Sequence, residues 1–115
     1  MTKIPPKPRV KLSRLRDIGW KLWDPIGLLP STGKWDDASS QSFADEYDQY
    51  LISAATQLQG GAPHEQVVEY LFQIESKHMG LGENASAHER AAAVVDAILA
   101  DETLWSWPDE QGRFA

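Results

Sequence analysis

Three short stretches of this chain hold side chains whose types and spacing could support chemistry. In DEYDQY at 45–50, Asp45 and Asp48 stand three apart, so a helix would put both carboxylates on one face. Glu46 and Gln49 would share the next face, and Tyr47 and Tyr50 would turn inward. Paired carboxylates bind a cation or work as acid and base; the competing reading is a solvated acidic face. In ESKH at 75–78, Glu75 and His78 form an E-x-x-H step, the unit that di-iron bundles use twice. No second copy occurs, and the adjacent pairs His64-Glu65 and His88-Glu89 diverge on a helix. Glu75 is therefore expected in a salt bridge or hydrogen bond inside a bundle, and His78 near a helix C-terminus, where a cation suits the dipole.

The third stretch is GWKLWDPIG at 19–27. Trp20 and Trp23 lie three apart at a helix end, where large rings anchor the following loop. Asp24 is placed to cap backbone N–H groups of the Pro25-Ile26-Gly27 turn, and Gly27 permits a positive φ. The rival reading makes Asp24 the floor of a pocket walled by the two tryptophans. The candidate binding residues are thus Trp20, Trp23, Asp24, Asp45, Asp48 and Glu75, with no catalytic residue, metal ligand or cofactor assigned. Neither a G-x-S-x-G elbow, a P-loop, a dinucleotide fingerprint nor H-E-x-x-H is present, so an enzyme of a common motif-bearing class is not expected.

These residues need elements to hold them, and the apolar spacing supplies four helices. Leu15, Ile18 and Leu22 predict a first helix over about 12–23, closed by Asp24 because a residue before proline avoids helical angles. Phe43, Tyr47, Tyr50, Leu51, Ala54 and Leu58 predict a second over 40–59, started by the Ser39, Ser40, Ser42 cluster with Asp45 and stopped by Gly60-Gly61. A third runs over 63–79 from Pro63, with Val67, Val68, Leu71, Phe72, Ile74 and Met79 apolar and Gly80 as its cap. A fourth, over 86–102, opens on the S-x-x-E box of Ser86 and Glu89 and carries Ala91, Val94, Val95, Ile98 and Leu99 inward. Trp105 and Trp107 are expected to anchor the tail. The expected fold is all-α, four helices in a bundle or orthogonal array.

Residues 1–10 hold three of the prolines and are expected to form an arm, with 11–115 as one helical domain. Charge divides the chain. Residues 1–21 carry Lys3, Lys7, Arg9, Lys11, Arg14, Arg16 and Lys21 against Asp17, for +6, leaving -12 on the rest of a chain whose net charge is -6. An acidic body repels phosphate, which disfavours nucleic acid as a partner and favours a basic protein; the arm then folds back on the body or stays solvated. With no cysteine, no signal-like apolar run and no membrane-length apolar stretch, a cytoplasmic protein without a membrane partner is expected.

Taken in order, WDPIG at 23–27, DEYDQY at 45–50, YLFQIESKHMGL at 70–81 and the aliphatic last helix resemble a group of small uncharacterised bacterial proteins. That group has a W-D-P-[IF]-G turn, a D-E-Y-D helix start and a Y-L-x-x-I-E…M-G-L segment, and the likeness spans about residues 18–100. A shorter Bacillus group of unknown function with a WDP turn is loosely similar. The resemblance implies an α-helical cytoplasmic domain, and some small acidic proteins of such groups are suspected immunity or partner-neutralising proteins. The arm and the Trp105-Ser106-Trp107 tail fall outside it. The expected function is a protein-interaction module, immunity- or adaptor-like; the alternative is a small-ligand or metal-binding domain near the WDPIG turn.

Overall fold

The computed structural model describes residues 8–24, 28, 33–81 and 85–107. The arm before Pro8, Pro25 to Gly27 of the WDPIG turn and the tail after Trp107 lie outside the described residues. The fold is all-α: α1 (Leu12–Leu22), α2 (Asp48–Gln59), α3 (His64–Gln73) and α4 (Ala85–Ala100) surround one core. Two short strands, β1 (Arg9–Val10) and β2 (Trp105–Ser106), pair antiparallel with Val10 opposite Trp105. Arg9 and Val10, expected in the arm, therefore pair with the segment that follows α4. Two residues are too few to show an alternating pattern, so no strand was expected there.

α1 buries Leu15, Gly19 and Trp20. Its close contact with α2 depends on Gly19: a Cβ at this position would overlap Leu51 Cδ1. Leu51 is fully buried, so it has little room to withdraw. Gly19→Ala should lose about 1 kcal/mol net, since overpacking of roughly 1–3 kcal/mol is partly offset by about 1 kcal/mol of helix propensity. Urea unfolding of Gly19→Ala alone and with Leu51→Ala would check this, with the double variant showing coupling between the two sites.

The start of α2 differs from the expected residue 40. Ala38–Ser40 forms a 3-10 turn, and residues 41–47 continue as tight turns before the helix begins at Asp48. The reason is competition for carbonyls. An α-helix would give the Ala44 carbonyl to the Asp48 N–H, but here that N–H donates to Asp45 O at 3.1 Å, and Ala44 O accepts the Trp20 Nε1–H at 3.2 Å. Ser40 is likewise turned inward, its Oγ donating to Lys34 O at 2.7 Å. Serine side chains that satisfy loop carbonyls favour turns over helix interiors. The apolar stripe survives the change, since Tyr47, Leu51 and Ala54 are all fully buried.

The Gly60-Gly61 stop is as expected. Ala62 N–H donates to Gln57 O and Gly61 N–H to Leu58 O, with Gly61 at φ 94°, a Schellman closure. α3 follows Pro63 and buries Val67, Val68 and Leu71. It then widens into a π turn over Ile74–His78, with the Met79 N–H on Ile74 O, before Gly80 at φ 71° ends it. The expected regular helix to residue 79 thus changes pitch at the segment that holds Glu75.

α4 packs on α1, α2 and α3 through Ala91, Val94, Val95 and Ile98. Three expectations fail here. The helix already includes Ala85, so Ser86 lies inside it, and its Oγ accepts from Arg90 Nη1 at 3.0 Å. Leu99, a helical step beyond Ile98, faces outward at 57% exposure. Trp107 is 56% exposed; Trp105 packs against the core as expected, beside the fully buried Leu104, whose carbonyl accepts the Lys11 N–H at 2.7 Å. Beside it Arg14 donates to Asp101 at 2.7 Å, which holds the Asp101 carboxyl below its ordinary pKa and ties α1 to the end of α4.

Candidate functional site

The aromatic residues at the end of α1 are interior. Trp20 and Trp23 are 4% and 2% exposed, so they are core, and neither offers area to a partner. Their rings close around Tyr47, with centroid separations of 4.7 Å from Trp20 and 5.4 Å from Trp23. Phe43 lies 5.5 Å from Trp20, and Tyr50 meets Trp23 edge-on at 6.3 Å. Tilted and edge-on pairs suit the ring quadrupoles. The Trp23 Nε1–H is buried without a hydrogen-bond acceptor, the one such side-chain donor among the described residues.

Asp24 closes this cluster. It takes a left-handed conformation, φ 26°, which aspartate tolerates because its carboxylate bonds locally. The Asp24 Oδ1 accepts the Leu28 N–H at 3.0 Å and the Tyr47 hydroxyl at 2.8 Å. It therefore reaches beyond the turn it was expected to cap, pinning the loop after α1 to the start of α2. Both Trp23 and Asp24 N–H groups converge on the Gly19 carbonyl, so the helix ends where Asp24 turns away.

Asp48 is held by Arg16 of α1 in a fork: Nε to Oδ1 at 2.9 Å and Nη2 to Oδ2 at 2.6 Å. The Arg16 guanidinium also lies 5.3 Å from the Trp35 ring, whose Nε1–H donates to Asp17 at 2.7 Å. Two cations of the basic N-terminal stretch, Arg14 and Arg16, are thus paired with the acidic body. Lys3 and Lys7 lie outside the described residues.

Glu75 is fully buried and meets Arg90 of α4 in a second fork, Nε to Oε1 at 3.2 Å and Nη2 to Oε2 at 2.5 Å. This is the expected salt bridge inside the bundle. His78 is exposed, its ring edge-on to Tyr50 at 5.6 Å. Asp24, Asp48 and Glu75 thus each close on a different partner. Among the described residues no group of three His, Cys, Asp or Glu is arranged to hold a metal ion.

What remains open to solvent is the face at the start of α2. Asp45, Glu46, Asp48, Gln49 and Tyr50 line one shallow, open depression. Asp45, Glu46 and Gln49 are exposed, and neither Asp45 nor Glu46 closes an ion pair among the described residues. Its position follows from the turns before α2, which carry Asp45 and Glu46 outward while Tyr47 goes inward. The partners that spacing alone did not pick out are Arg16, Arg90 and Tyr47 in its hydrogen-bonding role. Arg90 carried one signal, a cation set beside the apolar Ala91 on a helix otherwise rich in alanine.

The fold and this face define a small all-α domain with a carboxylate-lined depression beside a buried aromatic cluster. No family model matches the chain, and neither does any curated protein or solved structure. No helix among the described residues is long and apolar enough to cross a membrane.

Proposed function

We propose that this chain is a protein-interaction module whose acidic face at the start of α2 docks a basic protein partner, as an immunity or adaptor protein does. The observation that carries the reading is the exposed pair Asp45 and Glu46 on the rim of the depression, on a segment where Asp36, Asp37, Asp45, Glu46 and Asp48 occur with no cation between them. Unpaired surface charge of one sign speeds encounter with an opposite surface and selects partners. The face rests on rigid packing, because Tyr50 and Tyr47 beneath it lock into the tryptophan cluster, so docking costs little ordering. A binding role without catalysis, a cytoplasmic location and the resemblance to small helical bacterial proteins belong to the same proposal.

The test is a pull-down with the tagged protein at low and high salt, followed by affinity measurements on any protein retained. The expected partner is basic, held near stoichiometrically at low salt and released as salt rises. Reversing Asp45 and Glu46 to lysine should weaken that complex at least tenfold, mainly through slower association, with the melting temperature unchanged. An affinity indifferent to both salt and charge reversal would remove this reading.

A further inference from the structure

His64 stands at the first position of α3, and its ring nitrogens face carboxylates on opposite sides. Nδ1 lies 3.0 Å from Glu65 Oε1, and Nε2 lies 2.7 Å from Asp96 Oδ1 on α4. A neutral imidazole has one N–H and one lone pair, so it can donate to only one of them. The imidazolium alone satisfies both contacts. We propose that His64 is a pH-operated tie between the start of α3 and the middle of α4, closed when the ring is protonated and opened when it is not.

The charges around the ring are few. Glu65 comes from its own helix and Asp96 from α4. α2, also packed on α3, carries its titratable groups Asp48 and Tyr50 in its first turn, about 15 Å along the helix from the Gly60-Gly61 turn that leads into α3. The π turn that follows α3, with Glu75, Lys77 and His78, lies at the other end of α3 from His64. The ring is 37% exposed, so protons reach it freely. A cation at a helix N-terminus opposes the dipole, and the two carboxylates are what favour it there.

The pKa of His64 is raised, first by the hydrogen bond the ring donates to Asp96 and then by the one it donates to Glu65. A raised value in the folded state means the tie contributes fully below the unfolded value, about 6.5, and is lost as pH rises through the folded value. Opening loosens the first turn of α3 and with it backbone bonds such as that from the Val67 N–H to the Pro63 carbonyl, while the side chains of Val67 and Val68 stay packed in the core. The consequence is a helix start that loosens on the alkaline side of neutrality without unfolding the domain.

An NMR titration of the His64 ring from pH 5 to 9 in the full chain, in wild type and Asp96→Asn, tests the tie. The expected wild-type midpoint lies above that of an unperturbed histidine, and Asp96→Asn lowers it. In parallel, amide protection at Val67 and Val68, corrected for the intrinsic pH dependence of exchange, should fall several-fold between pH 6 and 9. His64→Gln should hold that protection level across the same range. A wild-type midpoint at the ordinary histidine value, or the same loss of protection in His64→Gln, would overturn the proposal.

Discussion

Replacing Arg90 with alanine is expected to destabilise the domain by about 3–5 kcal/mol, because it strands a carboxylate that the fold has removed from water. The Glu75 side chain is 1% exposed, and the Arg90 fork is the charge that compensates it. Arg90 itself is one-third exposed, so the loss comes from the buried partner and not from the arginine's own contacts. Glu75→Gln in the Arg90→Ala background should restore part of the stability, since an amide costs less to bury unpaired than a carboxylate. Replacing both residues by methionine should come close to wild type, as apolar substitutes for buried ion pairs often do. Urea unfolding of the four proteins decides the matter. A loss below about 1 kcal/mol for Arg90→Ala would show that the pair behaves like a surface salt bridge.

Tyr47→Ala is expected to cost a similar amount, about 3–5 kcal/mol, as removal of a large buried ring does. The ring fills the space between Trp20 and Trp23, and its hydroxyl holds Asp24. Tyr47→Phe separates the two contributions. It keeps the packing and removes a hydrogen bond to a charged acceptor, for an expected loss of about 1.5 kcal/mol. Asp24→Asn keeps an oxygen in the Oδ1 position and should lose less than Tyr47→Phe. Near-UV circular dichroism is the second readout, since both tryptophans lie against the ring. Its signal should collapse in Tyr47→Ala and persist in Tyr47→Phe, and a native signal in the alanine variant would mean the cluster repacks without its centre.

Much of the architecture was legible because it depends on local spacing. The stripe from Tyr47 to Leu58, the glycine stop at 60–61 and the aliphatic run of α4 from Ala91 to Ile98 are features of near neighbours in the chain, and each takes its expected place. Where local signals misled, a distant group had intervened. Ser40 and Ser42 read as a helix start, yet Trp20, 24 residues before Ala44, takes a backbone carbonyl of this segment, and the Ser40 side chain turns back to the Lys34 carbonyl six residues earlier. Leu99 and Trp107 read as buried because hydrophobicity alone does not tell which side of a helix, or which residue of a tail, faces solvent once the neighbours are set.

The candidate site divides along the same line. The charge imbalance, the carboxylates around 45–50, the lack of a second E-x-x-H and the helical class were determined by the sequence, because composition and near-neighbour spacing carry them. Which carboxylates remain available was decided only by tertiary structure. Arg16 meets Asp48 across 32 residues, Tyr47 meets Asp24 across 23 and Arg90 meets Glu75 across 15, each taking up a candidate ligand. Such pairings depend on how helices cross, here set by Gly19 against Leu51, and no periodicity along the chain encodes a crossing. Asp45 and Glu46 are left facing water because the turns before α2 point them outward, and that geometry comes from the carbonyl that Trp20 takes.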